Sequence, residues 1–186
     1  MLWPARPLQA TLLSIFLVAC AASQADLRQV ATQESARMEP PSRRLSTFAR
    51  FEMRPMTRGV QVTTDEKKNS ESIKLENKLR ARIQPLLDSW NATKDESGPI
   101  LVIQPELVSL FIPSGSARFW AGAWMGNSEI DMSLKLIEKQ SEQLVAYPRV
   151  KKDANAMAGA WSVGQSDQNL HDYVVEIAYE YLARNY

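Results

Sequence analysis

The amino-acid sequence predicts an α+β domain of two layers. In this fold a small, mainly antiparallel sheet is covered by two helices, in the chain order β-α-β-β-β-α. Two long segments carry apolar residues at helical spacing, and four shorter ones have the composition or alternation of strands. Helices segregated from a run of strands are typical of α+β domains. The chain has 186 residues, of which 45% are hydrophobic, which suits one domain with a terminal tail.

The N-terminal residues have the pattern of a secretory signal and are excluded from the predicted fold. Arg6 and the amino terminus supply positive charge, and Thr11 to Ala19 form an apolar core too short to span a bilayer as a helix. The core ends in Leu17-Val18-Ala19-Cys20, which resembles the lipobox of bacterial lipoproteins. The resemblance implies that residues 1–19 are removed and that Cys20 is modified with diacylglycerol and a fatty acid such as palmitate.

Cys20 is the one cysteine of the chain, so an intramolecular disulfide is impossible and acylation would leave no free thiol. The alternatives are an uncleaved anchor or a plain signal with a coincidental cysteine. In lipoproteins of this kind an Asp after the cysteine favours retention in the inner membrane, and this chain has Ala21. The predicted location is therefore the outer membrane, with the protein lipid-anchored and facing the periplasm.

Residues 20–45 are predicted to be the acylated cysteine and a flexible tether. The segment is polar, contains Pro40-Pro41 and has no sustained apolar periodicity, so it buries too little surface to offset its ordering entropy. A short helix over Asp26 to Arg37 would be marginal. The α+β domain is predicted to span residues 46–186.

The first strand and the first helix are predicted from contrasting periodicities. Phe51 and Met53 share a face of a strand that ends at Pro55. A helix follows, because apolar residues recur at spacings of three and four, and Pro85 predicts either a kink or a separate last turn. The stripe consists of Leu75, Leu79, Ile83, Leu86 and Trp90.

The next strand and a β-hairpin complete the predicted sheet. Ile100 to Ile103 form an apolar run typical of a strand buried on both faces, and Pro105 implies a bulge or an edge position. Alternation over residues 130–136 predicts a strand with one buried face, and a turn around Lys139 to Glu142 returns the chain through residues 144–150. The strand before the helix could pair in parallel with the one after it.

The last segment, SDQNLHDYVVEIAYEYLARNY, is predicted to be a helix. Ser166 or Asp167 could cap its N-terminus, and Arg184 suits its C-terminal end. Its predicted buried stripe is Leu170, Tyr173, Val174, Ile177 and Tyr181.

The tetrapeptide AGAW occurs twice, at residues 121–124 and 158–161. The two copies are nearly equidistant from the hairpin turn, so both are expected at the open end of the hairpin. That placement would bring together Phe119, Trp120, Trp124 and Trp161, a candidate partner patch because Trp gives large contact area at little entropic cost. The alternative is that these residues close the end of a small core.

Composition excludes several classes of function. A net charge of +1 disfavours a nucleic-acid surface, and one His with one Cys is too few for a typical zinc site. No metal, cofactor or nucleic-acid partner is predicted. His171 lacks a G-x-S-x-G partner motif and is expected on the helix surface. Glu129 and Asp131 share a strand face and could do acid–base work, but that is the polar face, where charge is ordinary.

The segment from Gly98 to Leu182 resembles families of uncharacterised proteobacterial lipoproteins. The resemblance rests on PILVIQPEL, AGAWMGNSEI, MSLKLIE, LVAYPRV and the final helix. Those families often carry Asp-x-x-Thr-Gly in the hairpin, whereas this chain has EKQSE at residues 138–142. The layout is also similar to curli-secretion lipoproteins and to lipoprotein activators of penicillin-binding proteins, in architecture alone.

The sequence therefore predicts an outer-membrane lipoprotein that is a binding or accessory module for envelope assembly or secretion, and not an enzyme. Its predicted partners are membrane lipid, through acylated Cys20, and either another envelope protein or further copies of itself. Two alternatives stay open. One is a hydrolase of envelope glycans that uses carboxylates, and the other is a ring- or pore-forming secretion lipoprotein.

Overall fold

The structure is a computed structural model that describes residues 27–93, 97–112, 128–153 and 166–186, with side chains of the last range from residue 170 onward. The helices in these ranges are α1 (27–36), α2 (Val60–Thr63), α3 (Glu66–Asn91) and α4 (Ser166–Arg184). The strands are β1 (Arg50–Met53), β2 (Thr57–Arg58), β3 (Ile100–Phe111), β4 (Glu129–Glu138), β5 (Leu144–Ala146) and β6 (Arg149–Asp153).

The described strands form one open mixed sheet that makes, with the helices, a two-layer α+β fold, as the sequence predicts. β4 pairs antiparallel with β3, β5 and β6. β1 and β2 both run parallel to β3, so the predicted parallel pairing across the first helix is confirmed. The predicted hairpin turn is also confirmed, since residues 139–141 connect β4 to the returning chain.

The core lies between the sheet and the two long helices. Alternate residues of β3 and β4, from Leu101 to Leu110 and from Ile130 to Leu136, are buried in one apolar cluster with the helices. The predicted stripe of α4 is buried at all five positions, namely Leu170, Tyr173, Val174, Ile177 and Tyr181. On α3 four of the five predicted stripe residues are buried, namely Leu75, Leu79, Ile83 and Trp90. At the fifth position Leu87 is fully buried, whereas the predicted Leu86 is only partly buried.

Pro105 lies inside β3 without ending it, and β3 is a central strand and not an edge. Leu134, opposite Pro105, donates its N–H to Pro148 on its other side. The backbone nitrogen and carbonyl of Pro105 therefore point away from β4, and the carbonyl accepts a hydrogen bond from Thr57 Oγ1. At that level β1 has ended and β2 begins only opposite Glu106. The missing proline N–H thus falls in a gap where no ladder partner is needed. The register shift of β3 lies further on, between Leu107 and Ser109.

Asn91, the last residue of α3, ties the helix to strand β1. Its side-chain Oδ1 accepts from the backbone N–H of Phe51 at 2.8 Å, and its Nδ2 donates to the Phe51 carbonyl at 3.0 Å. Both polar groups on the open side of β1 at this residue are therefore satisfied, which protects an edge strand from pairing with other chains. Pro85 lies inside α3, which continues through it to Asn91.

The chain before residue 46 is packed against the domain, whereas the sequence predicts a flexible tether there. Ala31 and Leu45 are fully buried. The Leu45 N–H donates to the Asn185 carbonyl, and both the N–H and the hydroxyl of Ser42 donate to the Val145 carbonyl. The folded unit therefore includes residues 27–45. Periodicity could not show this, because the segment uses a few isolated apolar residues and backbone hydrogen bonds instead of a continuous stripe.

Candidate functional site

The strand register brings three strand ends together at one end of the sheet. Phe111, at the end of β3, is opposite Glu129, the first residue of β4, and Glu129 is also opposite Asp153, the last residue of β6. We call these three residues, with Val108 and Lys151, the strand-end surface. The segments 113–127 and 154–165, which contain the two AGAW copies, are thus joined to the sheet at the same end.

The predicted site residues themselves lie outside the described residues. This applies to the candidate patch, Phe119, Trp120, Trp124 and Trp161, and to the acylation site Cys20. Their predicted roles therefore stay predictions. The strand-end surface is the part of that region whose side chains the structure describes.

The strand-end surface combines exposed apolar and charged side chains. Val108 and Phe111 are 47% and 46% exposed. Val108 is the extra residue at the register shift of β3, and such a bulge re-aims the side chains near a strand end. Beside them Lys151 Nζ lies 3.3 Å from Glu129 Oε2. An apolar pair bordered by an ion pair is a composition suited to protein contact.

The two carboxylates considered for acid–base chemistry are each paired with a cation from β6. Arg149 donates from Nε to Asp131 Oδ1 at 2.7 Å and from Nη2 to Asp131 Oδ2, and this contact raises the pKa of Arg149. Glu129 faces Lys151. Asp131 is 3% exposed, because Arg149 covers it. The alternation of β4 predicts an exposed position for Asp131, and this prediction is wrong. The pairs join β4 to β6.

A second polar contact on the same face of the sheet involves Tyr147. Its hydroxyl donates to Glu106 Oε2 at 2.6 Å, and this bond is the main reason that the pKa of Tyr147 is raised. Ser133 on the same face is buried, and its hydroxyl is close enough to Tyr147 to oppose this rise in pKa in part. Ion pairs and hydrogen-bonded hydroxyls therefore cover part of the outer face of the sheet and shield it from water.

Glu176 of α4 is a buried ion-pair centre that the sequence analysis missed. The periodicity of α4 puts this residue opposite the apolar stripe, yet it is 6% exposed. Arg82 of α3 donates from Nε and Nη2 to the two Glu176 oxygens, each at 2.8 Å, and Arg28 Nε of α1 lies 3.5 Å away. Three helices therefore meet at one carboxylate, a long-range contact that no local pattern reports.

A groove of about 430 Å³ lies at this three-helix junction. Leu27, Ala81 and Val175 give it apolar walls, while Lys78 and Asp172 add a second ion pair of 2.6 Å at its rim. Arg82 also stacks on the Tyr179 ring, 3.3 Å from the centroid, and its pKa is raised mainly by its hydrogen bond to Glu176. The charges of the groove are matched to one another, so they are arranged to hold the helices together.

His171 is buried, and not on the helix surface as expected. It is 5% exposed, and its Nε2 lies 3.9 Å from Glu71 Oε2 of α3. Burial is the main reason that the pKa of His171 is lowered, and Glu71 opposes the shift in part. The folded protein therefore favours the neutral imidazole.

The folded protein should become less stable as the pH is lowered, because His171 is then forced to take a proton. Because its pKa is lower in the folded than in the unfolded state, the unfolded chain binds more protons below about pH 6.5. The free energy of unfolding, measured by urea titration, should then decrease from neutral pH towards the lower folded-state pKa. His171→Leu should remove this component. An unchanged pH slope in the variant would contradict the assignment.

No helix in the described ranges combines the length and hydrophobicity needed to cross a membrane. Within the same ranges, no three His, Cys, Asp or Glu side chains are grouped to hold a metal ion.

Comparison with known proteins gives partial structural likenesses and no family. No protein-family profile and no curated protein sequence matches the chain. A PelC dodecamer from Paraburkholderia phytofirmans is 11% identical, with a TM-score of 0.43 over 78% of this chain and 95% of that chain. A PelC variant from the same organism gives 11% and 0.44 over 80% and 96%. Protein XCC0632 from Xanthomonas campestris, assigned to DUF330, is 14% identical, with a TM-score of 0.37 over 72% and 84%. At these values the likenesses assign no function.

Proposed function

We propose that the chain is a lipoprotein of the bacterial outer membrane, anchored through acylated Cys20, and that its α+β domain binds another envelope protein. The observation that carries the binding role is the convergence of β3, β4 and β6 at Phe111, Glu129 and Asp153. The anchor rests on the apolar core and the Leu17-Val18-Ala19-Cys20 sequence.

The convergence supports a contact surface because it concentrates recognition residues. Two separate segments that between them carry Trp120, Trp124 and Trp161 are joined to the sheet at one end. The exposed side chains of Val108 and Phe111 lie at that end as well. Aromatic anchors surrounded by charged residues are typical of the central part of protein interfaces.

The ion pairs of β4 favour binding over catalysis. A carboxylate that acts as a general acid needs a raised pKa and a second acid or a nucleophile close by. Asp131 is instead held by Arg149 and Glu129 by Lys151. Each carboxylate thus has a cation of β6 as its partner, and we propose a role without enzymatic activity.

Photo-crosslinking in intact cells tests the binding role. A photoreactive residue at position 111 in the acylated, full-length protein should give one discrete heavier adduct. The double substitution Trp124→Ala and Trp161→Ala should lower its yield by at least about tenfold, since each anchor residue of an interface contributes roughly 2 kcal/mol or more. Leu144→Ala, an exposed apolar residue beside the turn at the other end, is the matched control and should not change the yield.

Two results would contradict the proposal. A double variant that unfolds at a clearly lower temperature would place the two Trp residues in the core. Adducts at multiples of the chain's own mass would show that the surface joins copies of this protein, as the ring-forming alternative requires. Incorporation of labelled palmitate, and its loss in Cys20→Ala, serves as the internal check of the anchor.

A further inference from the structure

Helix α1 is attached to the domain by few apolar contacts. Ala31 is its one fully buried apolar residue among the described positions, and Leu27 packs only in part against the core. By contrast, Leu45 and Phe48, further along the chain, are both fully buried. Releasing α1 would therefore expose little apolar surface, whereas releasing residues 45–48 would open the core.

Polar contacts supply most of the attachment of α1. Lys152 of β6 donates to Glu34 Oε2 at 2.7 Å, and both side chains are largely shielded from water. Arg28 reaches Glu176 at 3.5 Å, but its side chain is 62% exposed, so this pair contributes little. The Lys152–Glu34 pair is thus the main directional contact between α1 and the sheet.

The position of α1 in the chain determines how far the domain can lie from its anchor. Six residues, 21–26, separate Cys20 from the described part of α1, and a stretch of that length can span at most roughly 20 Å. If α1 detached, the seventeen residues 21–37 would lie between Cys20 and Met38, and the reach would rise to roughly 60 Å. A short helix is only marginally stable alone in water, so detached α1 would become flexible chain.

We propose that α1 is a latch that holds the domain close to the bilayer when docked and extends its reach when released. This proposal depends on the proposed function in one respect, namely that a lipid anchors the chain at Cys20. Lys152 is next to Asp153, which belongs to the strand-end surface. Because neighbouring residues of a strand point to opposite faces of the sheet, the latch contact lies on the face that carries Ile130 and the helices, behind the strand-end surface.

Charge reversal of the latch contact tests the proposal in the acylated, full-length protein on phospholipid vesicles. Glu34→Lys should speed amide hydrogen exchange in residues 27–36 by roughly five- to tenfold, because opposite charges in a shielded pair are replaced by like charges. A fluorescent donor on Arg184→Cys, read against an acceptor in the lipid headgroups, should report a longer mean distance. Adding Lys152→Glu to Glu34→Lys should restore both values.

Glu52→Lys is the control, because it breaks another lysine–glutamate pair of the sheet, Lys139 with Glu52 at 2.8 Å, and leaves the Lys152–Glu34 pair intact. It should change neither value. Exchange in α1 that stays as slow as in the core after Glu34→Lys would overturn the latch, as would faster exchange with an unchanged distance on vesicles. A protein that is not retained on vesicles would refute the anchor, and the exchange rates would then still decide whether α1 detaches.

Discussion

Replacing Tyr181 with alanine is expected to lower the free energy of unfolding by about 3–5 kcal/mol, the usual cost of truncating a buried aromatic ring. Tyr181 lies on the buried side of α4 and is fully buried in the core of the domain, so removal of its ring would leave a large cavity. Its hydroxyl donates to the Glu39 carbonyl at 2.9 Å, so the substitution also removes one attachment of the N-terminal segment. Urea unfolding followed by circular dichroism measures the change.

Tyr181→Phe separates the ring from the hydroxyl. It keeps the ring in place and removes only the hydrogen bond to Glu39, so the expected loss is about 1 kcal/mol. Burial also raises the pKa of Tyr181 to about 12, consistent with a hydroxyl that stays protonated. Equal losses in the alanine and phenylalanine variants would contradict the packing role given to the ring.

Replacing Glu176 with alanine is expected to cost about 2–3 kcal/mol. Removing one partner of a buried ion pair is expensive because the other charge stays desolvated. We expect a loss in the free energy of unfolding that is smaller than is usual for buried ion pairs, because Arg82 is 31% exposed and can recover some hydration. The loss of both Arg82 hydrogen bonds should loosen the contact between α3 and α4, and thermal and urea unfolding would show it.

Asp172→Ala provides the control for Glu176, one turn earlier on the same helix. Its partner is Lys78 at 2.6 Å, but the two side chains are 49% and 37% exposed. A solvent-exposed pair of this kind contributes about 1 kcal/mol or less. If both variants lose the same stability, the burial of Glu176 has no energetic consequence, and the three-helix junction would not be the contact described above.

The sequence was sufficient for features that depend on local periodicity. The stripe of α4 from Leu170 to Tyr181, the turn near Lys139 and the parallel pairing across α3 follow from spacing and chain order. The convergence of strand ends at Glu129 could be predicted because a hairpin turn fixes which segments leave from its open end.

Features that depend on contacts between distant residues could not be predicted. Glu176 has the helical position of a solvated residue, and only the approach of Arg82, 94 positions away, makes it buried. Asp131 alternates like an exposed residue but is covered by Arg149 of the neighbouring strand. His171 is buried because α3 packs beside it. In each case a tertiary neighbour reverses what the local pattern indicates.

Pro105 shows a different limit of sequence reasoning. A proline argues against a central strand because it lacks an N–H for the ladder. That rule holds only where a ladder partner is present, and the break between β1 and β2 leaves none opposite this residue. The exception could be identified only once the neighbouring strands were positioned.

The contacts between the two ends of the chain impose an order on folding. Leu45 is hydrogen-bonded to Asn185, and Glu39 to Tyr181, so the segment around residues 39–45 docks on residues that are synthesised much later. Contacts of such large sequence separation form late and slow the folding of a domain. A chain tethered at its N-terminus would thus remain open, with α1 undocked, until its final helix is complete.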